Sequence, residues 1–349
     1  MQAALRRLFL DDGDLPPVRI MLFPHPLAWA ALALLGALTA LWFAISPLHF
    51  VIDDDIRGTA VAILVLMGLA GIVTWRGFGR LGAFLFTLAF FIVTGILGRA
   101  LNYLFMSLAL PLQDDWLARV DAAFGFDWPA LVALVGAHPW LATLLRLAYG
   151  SYGWLFPFTF LMLPLMGRLR RLREFLLLFA ISGLLTVAIG ALFPALGPFE
   201  HYAIPEAMRQ AVLPGGQAFM PDFLALRSGT FHDFVLARAE GLTAFPSFHT
   251  IMALLFALAF RGTFLAWPVF TLAVLVIVAT PVMGGHYLVD LLGGIGVLLV
   301  TMLLLRRSGL LDDVCPARPS PRMAMPAAEW IYRLFMLVRQ DGQEHERAP

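Results

Sequence analysis

Apolar runs of bilayer-crossing length recur along this chain and constrain its fold more than any other feature. They fall at 27–46, 58–75, 81–98, 140–167, 174–194, 246–260, 264–283 and 286–305. A crossing helix needs ~17–25 residues, and in lipid each backbone N–H and C=O must be satisfied within its own segment. The runs therefore predict an all-α, polytopic membrane helix bundle of about eight spans. The run at 246–260 is short, so its ends are the least defined. No lipid-facing strand pattern competes. Composition agrees: 60% of the residues are hydrophobic and 13% charged, whereas soluble domains carry about 25% charged residues.

Arginine sets the expected orientation, since the chain contains no lysine. Arg76 and Arg80, then Arg168, Arg170, Arg171 and Arg173, then Arg261, then Arg306 and Arg307 fall in alternate connections. Placed in the cytoplasm, they put both termini there as well. The opposite face receives "HFVIDDD" and the long segments 99–139 and 195–245. The expected organisation is a cytoplasmic N-terminal segment 1–26, a membrane catalytic domain 27–305 with its motif core at 244–296, and a cytoplasmic tail 306–349. The first apolar run reads as an anchor rather than a removed signal. Within the tail, "AEWIYRLFMLVR" suits an amphipathic helix on the membrane surface or against the bundle. Segment 114–140 mixes charges with Trp116, Phe124, Phe126, Trp128 and Trp140, the pattern of an interfacial stretch. A net charge of +1 gives no basis for nucleic-acid binding. The single cysteine, Cys315, excludes an internal disulfide and a multi-cysteine metal site.

Ionisable groups inside apolar spans are costly and mark function. His249 lies near the outer end of the sixth run, and His286 and Asp290 lie at the outer end of the eighth. His286 and Asp290 are i and i+4, so they share a helix face and can touch. A carboxylate there holds an imidazole in one tautomer and stabilises its cation. His249 on a neighbouring helix supplies an independent acid or base. An isolated histidine at that depth is ordinarily an interfacial side chain; three polar groups on one face of apolar helices shift the balance. A zinc site competes, but lacks an evident third and fourth ligand. Glycines 284, 285, 293, 294 and 296 allow close helix approach.

These residues resemble the type 2 phosphatidic acid phosphatase superfamily of integral membrane enzymes. Pro246-Ser247-Phe248-His249 is similar to its P-S-G-H motif, with Phe248 in the glycine's place. His286 and Asp290 match the end of its S-R-x5-H-x3-D motif, whose Ser-Arg pair falls here on Ala279-Thr280. The family's lysine-and-arginine motif is absent. "FPSFHT" followed by "GHYLVDLLGG" looks more like the inositol phosphorylceramide synthase branch, which moves phosphorylated headgroups between lipids.

The resemblance implies a lipid phosphotransferase without metal or other cofactor. His286 is its nucleophile, with Asp290 on the far ring nitrogen, and His249 its acid and base. A phospholipid or lipid phosphate is the donor and a lipid or polyol the acceptor. Ser247, Arg146, Tyr149, Tyr152, Arg99, Arg227 and Tyr287 are the candidate phosphate-binding groups. Arg146 stands in the fourth run with Tyr149 and Tyr152 following on a similar face. A phosphodiester monoanion needs less cationic compensation than a phosphomonoester dianion, so the missing arginine favours a diester donor. A phosphatase using water, and a lipid-binding protein or transporter using the cluster as a binding site, are the alternatives. The expected location is a bacterial inner membrane, with the site at the periplasmic face.

Overall fold

The computed structural model describes residues 21–213 and 217–308 of the 349. The expected tail helix and nearly all of the expected N-terminal segment lie outside the described residues. Fourteen α-helices order the described chain. The first three are α1 (Pro26–Ile45), α2 (Asp54–Trp75) and α3 (Gly79–Met106). Next come α4 (Asp114–Ala123), α5 (Trp128–Ala137), α6 (Pro139–Gly150), α7 (Tyr152–Leu165) and α8 (Leu169–Leu192). Three short helices follow, α9 (Pro198–His201), α10 (Glu206–Val212) and α11 (Met220–Ser228), and then α12 (Phe248–Ala259), α13 (Ala266–Met283) and α14 (Leu288–Arg307). Two two-residue strands, β1 (His49–Phe50) and β2 (Asp233–Phe234), pair in parallel.

Six of these helices, α1, α2, α3, α8, α13 and α14, are long and apolar enough to cross a membrane. The chain is an integral membrane helix bundle. Each of the six lies on a predicted run, and α3 continues past its run to Met106. The other two runs take different forms. The run at 140–167 divides at Ser151 into α6 and α7, although Ser151 itself keeps helical dihedrals. The run at 246–260 yields α12, with 12 residues. At 1.5 Å per residue that is about 18 Å, short of the ~30 Å hydrocarbon core. It is tolerated because α12 is enclosed by α7, α8, α13 and α14, so its ends meet protein rather than lipid.

The core of the bundle is aromatic. Phe91, Phe156, Phe160, Phe175, Phe179 and Phe256 pack ring against ring between α3, α7, α8 and α12. At one end the arginine-bearing connections gather. Arg261 pairs with Glu174 at 2.6 Å, Arg171 donates to the Leu258 carbonyl, and the Arg80 guanidinium lies over Gly167. The opposite end is capped by the connections 107–138 and 195–245 and the β1–β2 pair. There Asn102 holds the chain that enters α12: its side-chain oxygen accepts from Leu242 N at 2.7 Å, and its amide donates to Thr243 Oγ1 at 2.6 Å.

The stretch expected to lie in the headgroup layer is less uniform than its composition. Helices α4 and α5 meet at 82°. Trp116, Phe124 and Trp140 are exposed. Trp128 instead is fully buried, edge-on to Phe199, with its indole N–H donating to the Pro281 carbonyl. Apolar neighbours take the ring and a backbone carbonyl takes the N–H, so both ends of that side chain are satisfied.

Small residues set how closely α14 packs. A Cβ at Gly294 would stand 2.5 Å from the Ser247 carbonyl oxygen, and one at Gly293 would stand 2.6 Å from the Phe245 ring. Gly296, also expected to serve close packing, meets nothing within 4 Å. Gly294→Ala is therefore expected to destabilise the bundle by about 1–3 kcal/mol, the usual cost of overpacking. Gly296→Ala is expected to be near neutral. Thermal unfolding of the two detergent-purified variants checks the contrast.

Candidate active site

Helices α12 and α14 both begin at the end of the bundle away from the arginines, and their first turns are tied together. The Ser247 N–H donates to the Asp290 carbonyl at 2.8 Å. Ser247 is the N-cap of α12, and its hydroxyl accepts from Thr250 N. This satisfies one of the free N–H groups that every helix start exposes. Pro246 therefore precedes the cap rather than opening the helix. Phe248 turns its ring toward α8, against Phe179 and Gly183. His249 takes the other direction, between Tyr149 and Tyr152, with ring centroids 4.7 and 5.0 Å away.

His286 sits immediately before α14, 4% exposed. Its Nδ1 lies 3.0 Å from Asp290 Oδ2, which also accepts from Tyr287 N at 3.0 Å. An ionised carboxylate only accepts, so Nδ1 carries the proton and Nε2 keeps its lone pair. Asp290 is fully buried, and its Oδ1 has no hydrogen-bond partner among the described residues. The His249 and His286 ring centroids stand 6.0 Å apart, so the two imidazoles are near neighbours. His249 Nε2 is 3.0 Å from the Tyr149 hydroxyl. The glycine at 284 makes this approach possible: a Cβ there would lie 2.7 Å from Tyr149 Oη and 2.8 Å from His286 Cδ2.

Two residues that the sequence reading passed over hold this arrangement in place. Asp121 of α4 accepts from Leu288 N at 2.7 Å and Val289 N at 2.8 Å, closing the start of α14. Asp114, seven residues earlier on the same helix, accepts from Leu196 N, Gly197 N and the Tyr287 hydroxyl. Both are buried. The legible signal was two aspartates at i and i+7 of a short amphipathic helix, which share a face. Composition alone points that face at lipid headgroups; the structure turns it onto protein backbone.

The other candidates divide. His249, His286, Asp290, Tyr149 and Tyr152 come together. Tyr287 does not join them as a phosphate ligand: it is fully buried and its hydroxyl is committed to Asp114. Burial and the Asp114 carboxylate hold that phenol above the usual tyrosine range, so it remains a donor. Ser247 is likewise fully buried and occupied in capping, in place of the expected substrate contact. Arg227 donates to the Leu110 carbonyl at 2.8 Å and lies over the Phe223 ring, and burial pulls its pKa down. It fastens α11 to the cap and makes no contact with the histidines. Arg99 is exposed on α3, also without such a contact. Arg146 is exposed on α6, one turn before Tyr149, with no hydrogen-bond or ion-pair partner among the described residues. Asp121 of α4 is taken by backbone N–H groups and does not pair with it. At 279–280, where the resembled motif carries Ser-Arg, Ala279 and Thr280 are fully buried and Thr280 Oγ1 returns to the Val276 carbonyl. Among the described residues no group of three or more His, Cys, Asp or Glu side chains is placed to hold a metal ion.

Two substitutions test this construction. Gly284→Ala is expected to displace the Tyr149 hydroxyl or the His286 ring, because the third close atom, the Thr280 carbonyl oxygen at 2.9 Å, is backbone. Activity should fall at least tenfold and the protein should lose about 1–3 kcal/mol of stability through the overpacked contact, as seen by assaying and melting the same preparation. Asp121→Ala orphans two buried N–H groups and is expected to cost about 1.5–3 kcal/mol, read as a lowered melting temperature in detergent.

The comparisons agree with the geometry. The family model described as PAP2 superfamily matches residues 115–304, more than half of the chain. The match runs from α4 through both histidines. No curated protein and no solved structure matches the chain. With His249, His286 and Asp290 assembled at one end of an apolar helix bundle, the chain belongs to the PAP2 superfamily, that of the type 2 phosphatidic acid phosphatases its motifs resemble.

Proposed function

We propose that the protein is a lipid phosphotransferase that moves a phosphorylated headgroup from a phosphodiester lipid to a lipid or polyol hydroxyl through a phosphohistidine. Superfamily members are phosphatases or phosphotransferases. The observation that carries the reading is the His286–Asp290 hydrogen bond beside His249, the two histidine ring centroids being 6.0 Å apart. In the first half-reaction His286 Nε2 bonds to phosphorus, the ester P–O bond breaks, and the leaving oxygen takes a proton originating on His249. In the second half the acceptor hydroxyl bonds to phosphorus, the N–P bond breaks, and the hydroxyl proton returns to His249. Asp290 keeps Nδ1 of His286 protonated and offsets the positive charge its ring acquires.

Charge supports a diester donor over a monoester. Three carboxylates are buried here, Asp290 against His286 and Asp114 and Asp121 against the residues that follow it, while Arg146 is the exposed cation one turn from Tyr149. A dianion would meet more repulsion and less compensation than a monoanion. The sequence's arginine asymmetry places the site on the outer face of the membrane, in this reading the periplasmic face of a bacterial inner membrane.

The test is incubation of the purified protein with a phosphate-labelled phosphodiester lipid. An acid-labile label is expected on the wild type and none on His286→Ala, whose turnover should be lost. Product should form in proportion to an added alcohol acceptor. Release of inorganic phosphate without acceptor dependence makes the protein a phosphatase; absence of both label and turnover ends the enzymatic reading. Arg146→Ala is expected to raise KM more than tenfold while leaving the label on His286 detectable.

A further inference from the structure

We propose that Tyr149 is a catalytic residue that relays the proton between His249 and the substrate oxygen; the inference rests on the phosphotransfer reading above. The Tyr149 hydroxyl lies 3.0 Å from Nε2 of His249, within hydrogen-bonding distance. A Cβ at residue 284 would stand 2.7 Å from Tyr149 Oη and 2.8 Å from His286 Cδ2, and Cδ2 is bonded to the nucleophilic Nε2. The same backbone position, Gly284, is thus flanked by the Tyr149 hydroxyl and the reactive edge of the His286 ring.

The contrast with His286 sharpens the argument. Asp290 holds Nδ1 of His286, away from the reacting phosphorus. Tyr149 instead holds the reactive nitrogen of His249. A phenol both donates and accepts, so it serves either protonation state of the imidazole. With His249 neutral, Oη donates to Nε2. With His249 protonated, Nε2–H donates to Oη, and the phenolic O–H is free to point at substrate. As the ester P–O bond breaks, the phenol gives its proton to the leaving oxygen and takes one from Nε2. Tyr149 ends as it began, and His249 ends neutral. The second half-reaction runs the same transfer in reverse, carrying the acceptor hydroxyl's proton to His249. The two tyrosine rings against His249, 32° and 86° from its plane, fix the imidazole so that the hydrogen bond is kept.

A proton relay matters in proportion to the basicity of the leaving oxygen. Tyr149→Phe keeps the ring and removes only the hydroxyl. It is compared with wild type and His286→Ala on phosphatidic acid and phosphatidylglycerol in mixed micelles, whose leaving groups are alkoxides. The same set is then assayed for first-turnover release of 4-nitrophenolate from 4-nitrophenyl phosphate and bis(4-nitrophenyl) phosphate, which reads the first half-reaction alone with a leaving group that needs little protonation. The expected result is a loss of about 10²–10⁴ in rate on the lipids, with little change in first-turnover rate on the nitrophenyl esters, while His286→Ala is inactive on all four. Equal losses on both kinds of ester mean a structural role and overturn the relay. No loss on either also overturns it, and inactive His286→Ala then leaves the phosphotransfer reading standing. Wild type that leaves both lipids intact overturns the relay, and if the nitrophenyl esters also survive, the phosphotransfer reading falls with it.

Discussion

The start of α14 is the point on which the site depends, because three carboxylates close it. The free N–H groups of a helix start carry partial positive charge and must be satisfied when buried. Here Asp121 takes those of Leu288 and Val289, Asp290 reaches back to Tyr287 N, and Asp114 fixes the Tyr287 hydroxyl. His286 is the residue just before this closed turn, so its position follows from how that turn is closed. Asp290 serves both purposes with one oxygen, accepting from Tyr287 N and from His286 Nδ1. The angle of the imidazole is thereby tied to helix capping, and it does not depend on a contact that substrate must supply.

The second histidine is fixed by a different means. Helix α12 is too short to span a bilayer and is held by neighbours on all sides. Asn102 pins the chain entering it, and Gly293 and Gly294 let α14 come against Phe245 and Ser247. The Ser247 N–H then bonds the Asp290 carbonyl, so the two histidine-bearing turns share a backbone link. In a bundle without a hydrophobic driving force between helices in lipid, such close packing and buried polar links are what set relative position. The 6.0 Å separation of the rings is a consequence of helix packing, which is why a methyl group at 284 or 294 is predicted to matter.

Much of this was legible in the sequence, and the remainder failed for identifiable reasons. Polar groups stand out in apolar runs, so His249, His286 and Asp290 could be found, and i, i+4 spacing predicted the hydrogen bond between the last two. Span counting found every long helix among the described residues because hydropathy reports the burial that lipid demands. It marked the run at 246–260 as short but did not find the break at Ser151, since a helix sheltered by other helices carries the same apolar signature as one facing lipid. The partners of the hydroxyl groups were hidden for a related reason. Sequence shows that Tyr287 and Ser247 flank the motif, but a hydroxyl's partner is chosen in three dimensions, and here Asp114 and the α12 backbone claim them. Asp114 and Asp121 were hidden by their setting among tryptophans and phenylalanines, which reads as headgroup layer until α4 is seen against α14.

The departures from the phosphatase motifs form a coherent set. An arginine at 280 would have to enter a fully buried position whose present side chain returns its hydroxyl to its own helix, at a cost that desolvated charge makes large. Phe248, in the place of the motif glycine, fills space against Gly183 of α8 and so removes no room from the histidines. The site thus has no guanidinium at 280, while Asp290 is buried against His286 and Asp114 and Asp121 at the start of α14. An anion with a single negative charge tolerates that balance better than a dianion. The remaining cation near Tyr149, Arg146, is exposed, so its attraction is weakened by solvent. Chemistry that suits such a site relies less on gripping charge and more on moving a proton to a poor leaving group, the task that the proposed relay assigns to His249 and the Tyr149 hydroxyl.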